Sequence, residues 1–499
     1  MNIKQAKEYI KNSIKIYLQK DEYGDYRIPV VRQRPIFLLG APGIGKTAIM
    51  EQIASELNIA LVSYSMTHHT RQSALGLPFI TKKTYEGKTY DVSEYTMSEI
   101  IATVYETMEK SGMKNGILFL DEINCVSETL APSMLQFLQY KLFGKHKVPE
   151  GWVIVTAGNP PEYNKSVREF DVVTMDRLKV LTVEEDYATW KEYALERGIH
   201  SAILSFLELK KDYFYHMETT VKGRSYVTAR GWEDLSEIIL MYEREGMTVD
   251  EELVGQYIRS EEIVREFCAY LDLYNKYKND YRAEDILVLG DYKRALEKVK
   301  NAAFDERISL LGMLLEKVNN EMKSVILTSD YLTELMTLLR NLKDAEDITE
   351  RLELLADARP KLVEKLEAAG ALSKNDRTKH RRIERFLRDV KKLIIKNGIS
   401  DKEAAFSLVK EQFDKEVAEM KLRVEAIDGM LHKLFEFVDL AFADGNEKLI
   451  LVTELTVNKY SSRYIGMYGS EDYRRASELM MLGERQKDMR ESIEKLELV

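Results

Sequence analysis

The sequence predicts an α/β domain followed by an all-α remainder, and three observations carry that reading. Eight of the nine prolines (Pro29, Pro35, Pro42, Pro78, Pro132, Pro149, Pro160, Pro161) fall in the first third of the 499 residues, and only Pro360 lies beyond. Up to about residue 186, short apolar runs alternate with helical periodicity, the pattern of a mostly parallel sheet covered on both faces. Charged residues number 64 up to residue 250 and 92 after it, which suits long solvated helices without breakers.

The elements follow in order. Met1–Lys20 is basic, with Ile3, Ile10, Ile14 and Tyr17 near helical spacing. Lacking the apolar run and cleavage site of a secretory signal, it reads as an amphipathic helix packed on the next domain. Residues 35–40 (PIFLLG) form a first buried strand, and Thr47–Leu57 a helix with Ile49, Ile53, Ala54 and Leu57 on one face. Residues 59–65 make a second strand, 117–120 a third and 153–157 a fourth. Tyr85–Tyr90 is a hairpin tip with Glu86-Gly87 at the turn. From about Tyr187 the pattern is helical and stays so. Phe413, Val417, Met420, Val424, Ile427, Leu431, Leu434 and Val438 step by alternating fours and threes, a heptad seam fit for a coiled coil or a long helical hairpin.

Composition narrows the function. A net charge of −10, with neither half basic, argues against a body held mainly by nucleic-acid phosphates. No apolar run approaches the roughly 18 residues of a bilayer span. Cys125 and Cys268 have no zinc-like spacing and read as buried thiols of a reducing compartment, which makes a cytoplasmic placement the simplest. His68-His69 has no evident third ligand.

The chemistry concentrates in three places. Gly40-Ala41-Pro42-Gly43-Ile44-Gly45-Lys46-Thr47 lies between a strand and a helix. Its glycines let backbone N–H groups turn onto phosphates, and the helix N-terminus adds positive potential. Lys46 is placed to reach the β- and γ-phosphates and the Thr47 hydroxyl to ligate Mg2+. Asp121-Glu122 follows the third strand directly, at the end where open α/β sheets bind ligands. There Asp121 would hold Mg2+ through water, and Glu122 would act as general base toward the attacking water. At the end of the fourth strand stands Asn159, whose amide can bridge a γ-phosphate and that water. None of the Asn-Lys pairs at 164, 275 and 458 has Asp three residues on, so ATP is favoured over GTP.

These blocks resemble the AAA+ superfamily, and within it the MoxR-like branch. The resemblance covers about residues 28–275 and rests on the phosphate loop, Asp121-Glu122-Ile123-Asn124, Gly158-Asn159-Pro160 with Glu162-Tyr163, and Asp176-Arg177-Leu178. It implies a P-loop αβα parallel-sheet ATPase core over 1–186 and a helical lid over 187–280. A helical, partly coiled-coil extension would occupy 281–499. It also implies a ring, hexameric by preference, with ATP between neighbours. Asn159 is then sensor 1, Arg177 the arginine finger (with Arg168 as competitor), and Arg230 in Val227-Thr228-Ala229-Arg230-Gly231 the sensor 2 arginine. The Tyr85–Tyr95 and Lys141–Trp152 hairpins match inserts that line the pore in related rings.

The expectation is an ATP-hydrolysing, MoxR-type, chaperone-like remodeller of an unknown client protein, with a von Willebrand factor A-type partner implied by the resemblance. The alternative is a nucleic-acid-directed motor of restriction or helicase type. Its support is residues 376–396, with nine basic residues against three acidic ones and few aromatics between them.

Overall fold

The computed structural model describes the chain except residues 69–70, 144, 164–166, 221–222, 443–445 and 481–499, and the side chains of 68, 71, 75, 219, 220 and 223. His69, the Asn164-Lys165 pair and Gly144 within the Lys141–Trp152 hairpin therefore lie outside the described residues. The chain divides into two compact units, Met1–Thr189 with Ala356–Glu384, and Trp190–Leu355 with Arg385–Val499.

The first unit is built on five strands, β1 (Ile36–Gly40), β2 (Ala60–Ser65), β3 (Gly116–Asp121), β4 (Trp152–Gly158) and β5 (Lys179–Val183). They are all parallel, in the order β2-β3-β4-β1-β5. Leu38, Ile117, Leu118, Phe119, Leu120, Val155 and Ala157 are fully buried, as near-continuous apolar runs covered on both faces must be. The register matters most for function. Ser65 lies opposite Asp121, and Leu39 opposite Gly158, so the ends of β1, β2, β3 and β4 share one edge of the sheet.

The four expected strands are present; β5 is a strand the sequence reading missed. Its run Lys-Val-Leu-Thr-Val is interrupted by polar residues, which an outermost strand tolerates because no further strand pairs with it. Instead the Met1 ammonium donates to the Thr182 carbonyl at 3.1 Å and the Glu184 N–H to the Met1 carbonyl at 2.9 Å. Helix Ile3–Tyr17 buries Ala6, Ile10 and Ile14, starts with a reciprocal Asn2–Gln5 capping box, and ties Lys7 and Lys11 to Glu56 of helix Lys46–Leu57.

Two hairpins leave this unit. Pro78–Tyr85 pairs antiparallel with Lys88–Tyr95, and Glu86 (φ 51°) and Gly87 (φ 77°) form the two-residue turn, the positive-φ geometry favoured between twisted strands. The second pairs Leu142–Phe143 with His146–Lys147. The Glu94 carboxylate receives both Lys83 of the first hairpin and Lys145 of the second, so one acid joins the two.

The second unit is dominated by helices, the longest being Phe304–Arg340 and Lys402–Ala441, which pack on each other. In the heptad seam Ile427, Leu431, Leu434 and Val438 are buried, while Phe413, Val417, Met420 and Val424 are half-buried. The pattern after Tyr187 is not helical throughout, as the sequence suggested: His216–Thr220 and Gly223–Val227 form an antiparallel pair. β-Branched Val227 and aromatic Tyr226 favour that pairing. No helix among the described residues is long and apolar enough to cross a membrane.

Helices Ile348–Ala368 and Lys374–Lys396 each run through both units. Pro360 lies inside the first and cannot donate a hydrogen bond to the Ala356 carbonyl. In the second, Ile383, Leu387, Val390 and Ile394 are buried, while Arg381, Arg385, Lys392 and Lys396 are exposed.

Candidate nucleotide site

The phosphate loop joins β1 to helix Lys46–Leu57. Gly43 (φ 77°) and Gly45 (φ 94°) take left-handed backbone, which glycine adopts without the clash that a Cβ brings. Gly40 answers a different need: a Cβ there would meet the Val183 carbonyl of β5 at 2.6 Å. Pro42 and Ile44 complete the loop, with Ile44 buried. Lys46 is itself buried, and its Nζ donates to the Gly40 and Ala41 carbonyls, both at 2.8 Å, and to Asn159 Oδ1 at 2.9 Å. The ammonium thus already links the loop to the end of β4.

Thr47 Oγ1 donates to Asp121 Oδ2 at 3.0 Å, and Asp121 Oδ1 accepts the Glu122 N–H at 2.9 Å. A hydroxyl and a carboxylate oxygen fit a hard cation that keeps several of its own waters. Among the described residues no group of three His, Cys, Asp or Glu could cage a metal without such waters. Glu122 sits in left-handed backbone (φ 55°, ψ 36°), a strained state for a residue with a Cβ and one that clusters at functional sites. Burial, together with Glu122 and Asp121 nearby, pushes the Cys125 thiol up, so it stays protonated and chemically quiet.

Two participants, Ser65 and Thr67, are not marked by the sequence, nor is the role of Asn124 within the Asp121–Asn124 block. Ser65 Oγ and Thr67 Oγ1 donate to Glu122 Oε2 at 2.9 and 3.0 Å. The available signal was the position of Ser65, the last residue of a strand neighbouring β3. Buried Asn124 donates from Nδ2 to the Asn159 carbonyl at 2.9 Å. Gly158 makes room for it, since a Cβ there would meet Asn124 Oδ1 at 2.5 Å.

Gly40–Thr47, Asp121, Glu122 and Asn159 therefore converge at one edge of the sheet. The side chains of the two candidate finger arginines have other partners, although the Arg168 N–H donates to the Asn124 carbonyl at 2.9 Å. Arg177 follows helix Val172–Asp176 and donates to Gln139 Oε1 at 2.7 Å, while Arg168 pairs with Glu128 at 2.5 Å. Arg230 belongs to the second unit, exposed in the first turn of helix Ala229–Glu245 beside the Thr228 cap.

Fold and site together define a P-loop nucleotide-binding core. Residues 36–175, under a third of the chain, match the model of the ATPase family associated with various cellular activities (AAA). Among solved structures, a proline-to-glycine mutant of RuvB from Thermotoga maritima is similar at 15% identity over 57% of this chain and 77% of that chain, with a TM-score of 0.27. No curated protein matches the chain at a significant level.

Proposed function

We propose that the chain is an ATP-hydrolysing AAA+ motor of the MoxR-like kind that remodels or activates a client protein. The observation that supports it most is the convergence of Lys46, Thr47, Asp121, Glu122 and Asn159 at the strand ends of the region that matches the AAA model. Lys46 exchanges its carbonyl partners for the β- and γ-phosphate oxygens, and the Gly43–Thr47 N–H groups orient the chain of phosphates. Thr47 and Asp121 would hold Mg2+, which supplies neutralisation of phosphate charge when bound. Glu122 accepts the proton of the attacking water as that water bonds to the γ-phosphorus and the bond to the β,γ-bridging oxygen breaks, releasing ADP and inorganic phosphate. Asn159 positions the water through its amide.

Arg177 of a neighbouring copy completes the charge stabilisation. Its planar fork suits phosphate oxygens better than a lysine would, and its exposed position leaves it available to a second chain. Arg230 senses the γ-phosphate from the lid. The assembly is a homo-oligomeric ring, hexameric by preference, in the cytoplasm. A von Willebrand factor A-type protein is its partner.

The test is ATP turnover by the purified chain with and without Glu122→Gln. The substituted chain should bind ATP, stop turning over and retain its client on a pull-down. Turnover that survives the substitution sinks this assignment of the base. Salt-dependent binding to DNA or RNA would favour a nucleic-acid-directed motor instead.

A further inference from the structure

β2 is an outermost strand of the sheet, and such an edge carries backbone groups that need a partner or a cover. Here the cover comes from more than 300 residues further along the chain. Helix Ile348–Ala368 ends in a Schellman turn: the Ala371 N–H returns to the Leu366 carbonyl and the Gly370 N–H to the Glu367 carbonyl, both at 3.0 Å, with Gly370 at φ 64°. The carbonyl of Ala369 accepts the Leu61 N–H at 2.8 Å. Gly370 lies so close that a Cβ would meet the Leu61 carbonyl at 2.8 Å. Ala369 and Ala371 are buried in the same core cluster as Ala60, Val62, Ile100 and Val104.

The strand held at Leu61 is the one that delivers Ser65 to Glu122. They lie four positions apart, about 13 Å of extended chain, and paired strand transmits displacement because its register with β3 fixes every step. The two hydroxyls bonded to Glu122 Oε2 take up one of the two carboxylate oxygens able to accept a proton from water and lower its basicity.

We propose that the Ala369–Ala371 turn is a positioning element for hydrolysis: it pins β2 so that Ser65 and Thr67 restrain Glu122, and releasing the turn frees the carboxylate. The helices that enter and leave the turn continue along the chain into residues of the second unit. The inference rests on Glu122 being that base.

Gly370→Asn tests it, because asparagine tolerates left-handed backbone yet brings the Cβ that crowds Leu61. Gly398→Asn is the control, since Gly398 has φ 62° with nothing within 4 Å of its Cβ position. The expected result for Gly370→Asn is faster amide exchange at Leu61 and a kcat for ATP about fivefold higher, roughly the loss of one hydrogen bond. KM should be unchanged, and no further rise should occur in a Ser65→Ala, Thr67→Val background. An unchanged kcat despite faster exchange overturns the inference, as does an equal rise with Gly398→Asn. Should Gly370→Asn not fold, Ala371→Val overfills the same contact and is read in the same way. A wild-type chain that does not turn over ATP removes the reading of Glu122 and this inference together; turnover that the turn variants leave unaltered removes the inference alone.

Discussion

The Lys46 ammonium donates to Asn159 Oδ1 at 2.9 Å, joining residues 113 positions apart, the first opening the helix after β1 and the second following β4, its parallel neighbour. Because Lys46 is buried with three oxygen partners, its charge is held at the place where phosphate is to arrive. Lys46→Ala should weaken ATP binding by about 100-fold, within the roughly 2–5 kcal/mol that truncating a desolvated charge partner costs. Calorimetric titration with ATP measures it, and binding within a few-fold of wild type would show that the phosphates go elsewhere.

Glu122→Gln keeps an oxygen for the Ser65 and Thr67 hydroxyls but loses the basic carboxylate. Turnover should fall by about 10²–10⁴-fold, the usual range for general-base removal, with ATP affinity within a few-fold of wild type. Single-turnover kinetics with labelled ATP separates the two quantities.

Gly158→Ala should lower turnover by about tenfold, since a Cβ would meet Asn124 Oδ1 at 2.5 Å and push aside the side chain that bonds the Asn159 carbonyl. A misplaced water-orienting group is costly even at sub-ångström scale. Asn124→Leu should reproduce the defect; normal turnover in both variants would show that Asn159 needs no such support.

Lys141 is buried, and desolvation pushes its ammonium down to about 8 from 10.5. Between those values the unfolded chain binds more protons than the folded one, so this residue makes stability rise with pH, by up to about 3 kcal/mol across that window. Lys141→Met keeps the φ 56° backbone and lacks the titration. Its melting temperature should exceed the wild-type value most at pH 7 and lose that advantage as pH climbs to 10.5. A pH-independent difference would show that the Nζ bond to the Val30 carbonyl at 2.8 Å compensates burial.

Much of the site was legible because its chemistry is local. Gly40–Thr47 carries the turn glycines, lysine and hydroxyl within eight residues, and Asp121-Glu122 announces itself as acids abutting an apolar strand. Ser65, Thr67 and the supporting role of Asn124 were not legible, since a hydroxyl at a strand end or an amide in a loop gains meaning only from what register sets beside it. β5 was missed for a related reason: its polar interruptions suit an outer strand, and only the completed sheet reveals that it is one.

The proline distribution and the alternation of apolar runs determined, from sequence alone, that a parallel α/β core precedes a helical remainder. The tertiary structure decided that this division is not one of chain order. Ala356–Glu384 returns to the first unit, and the Ala369 carbonyl takes the Leu61 N–H at the sheet edge. Periodicity reports which face of a helix is apolar, through interactions a few residues apart. Which distant edge a Schellman turn covers depends on an unpaired strand amide nearly 310 residues away, and no local pattern encodes that.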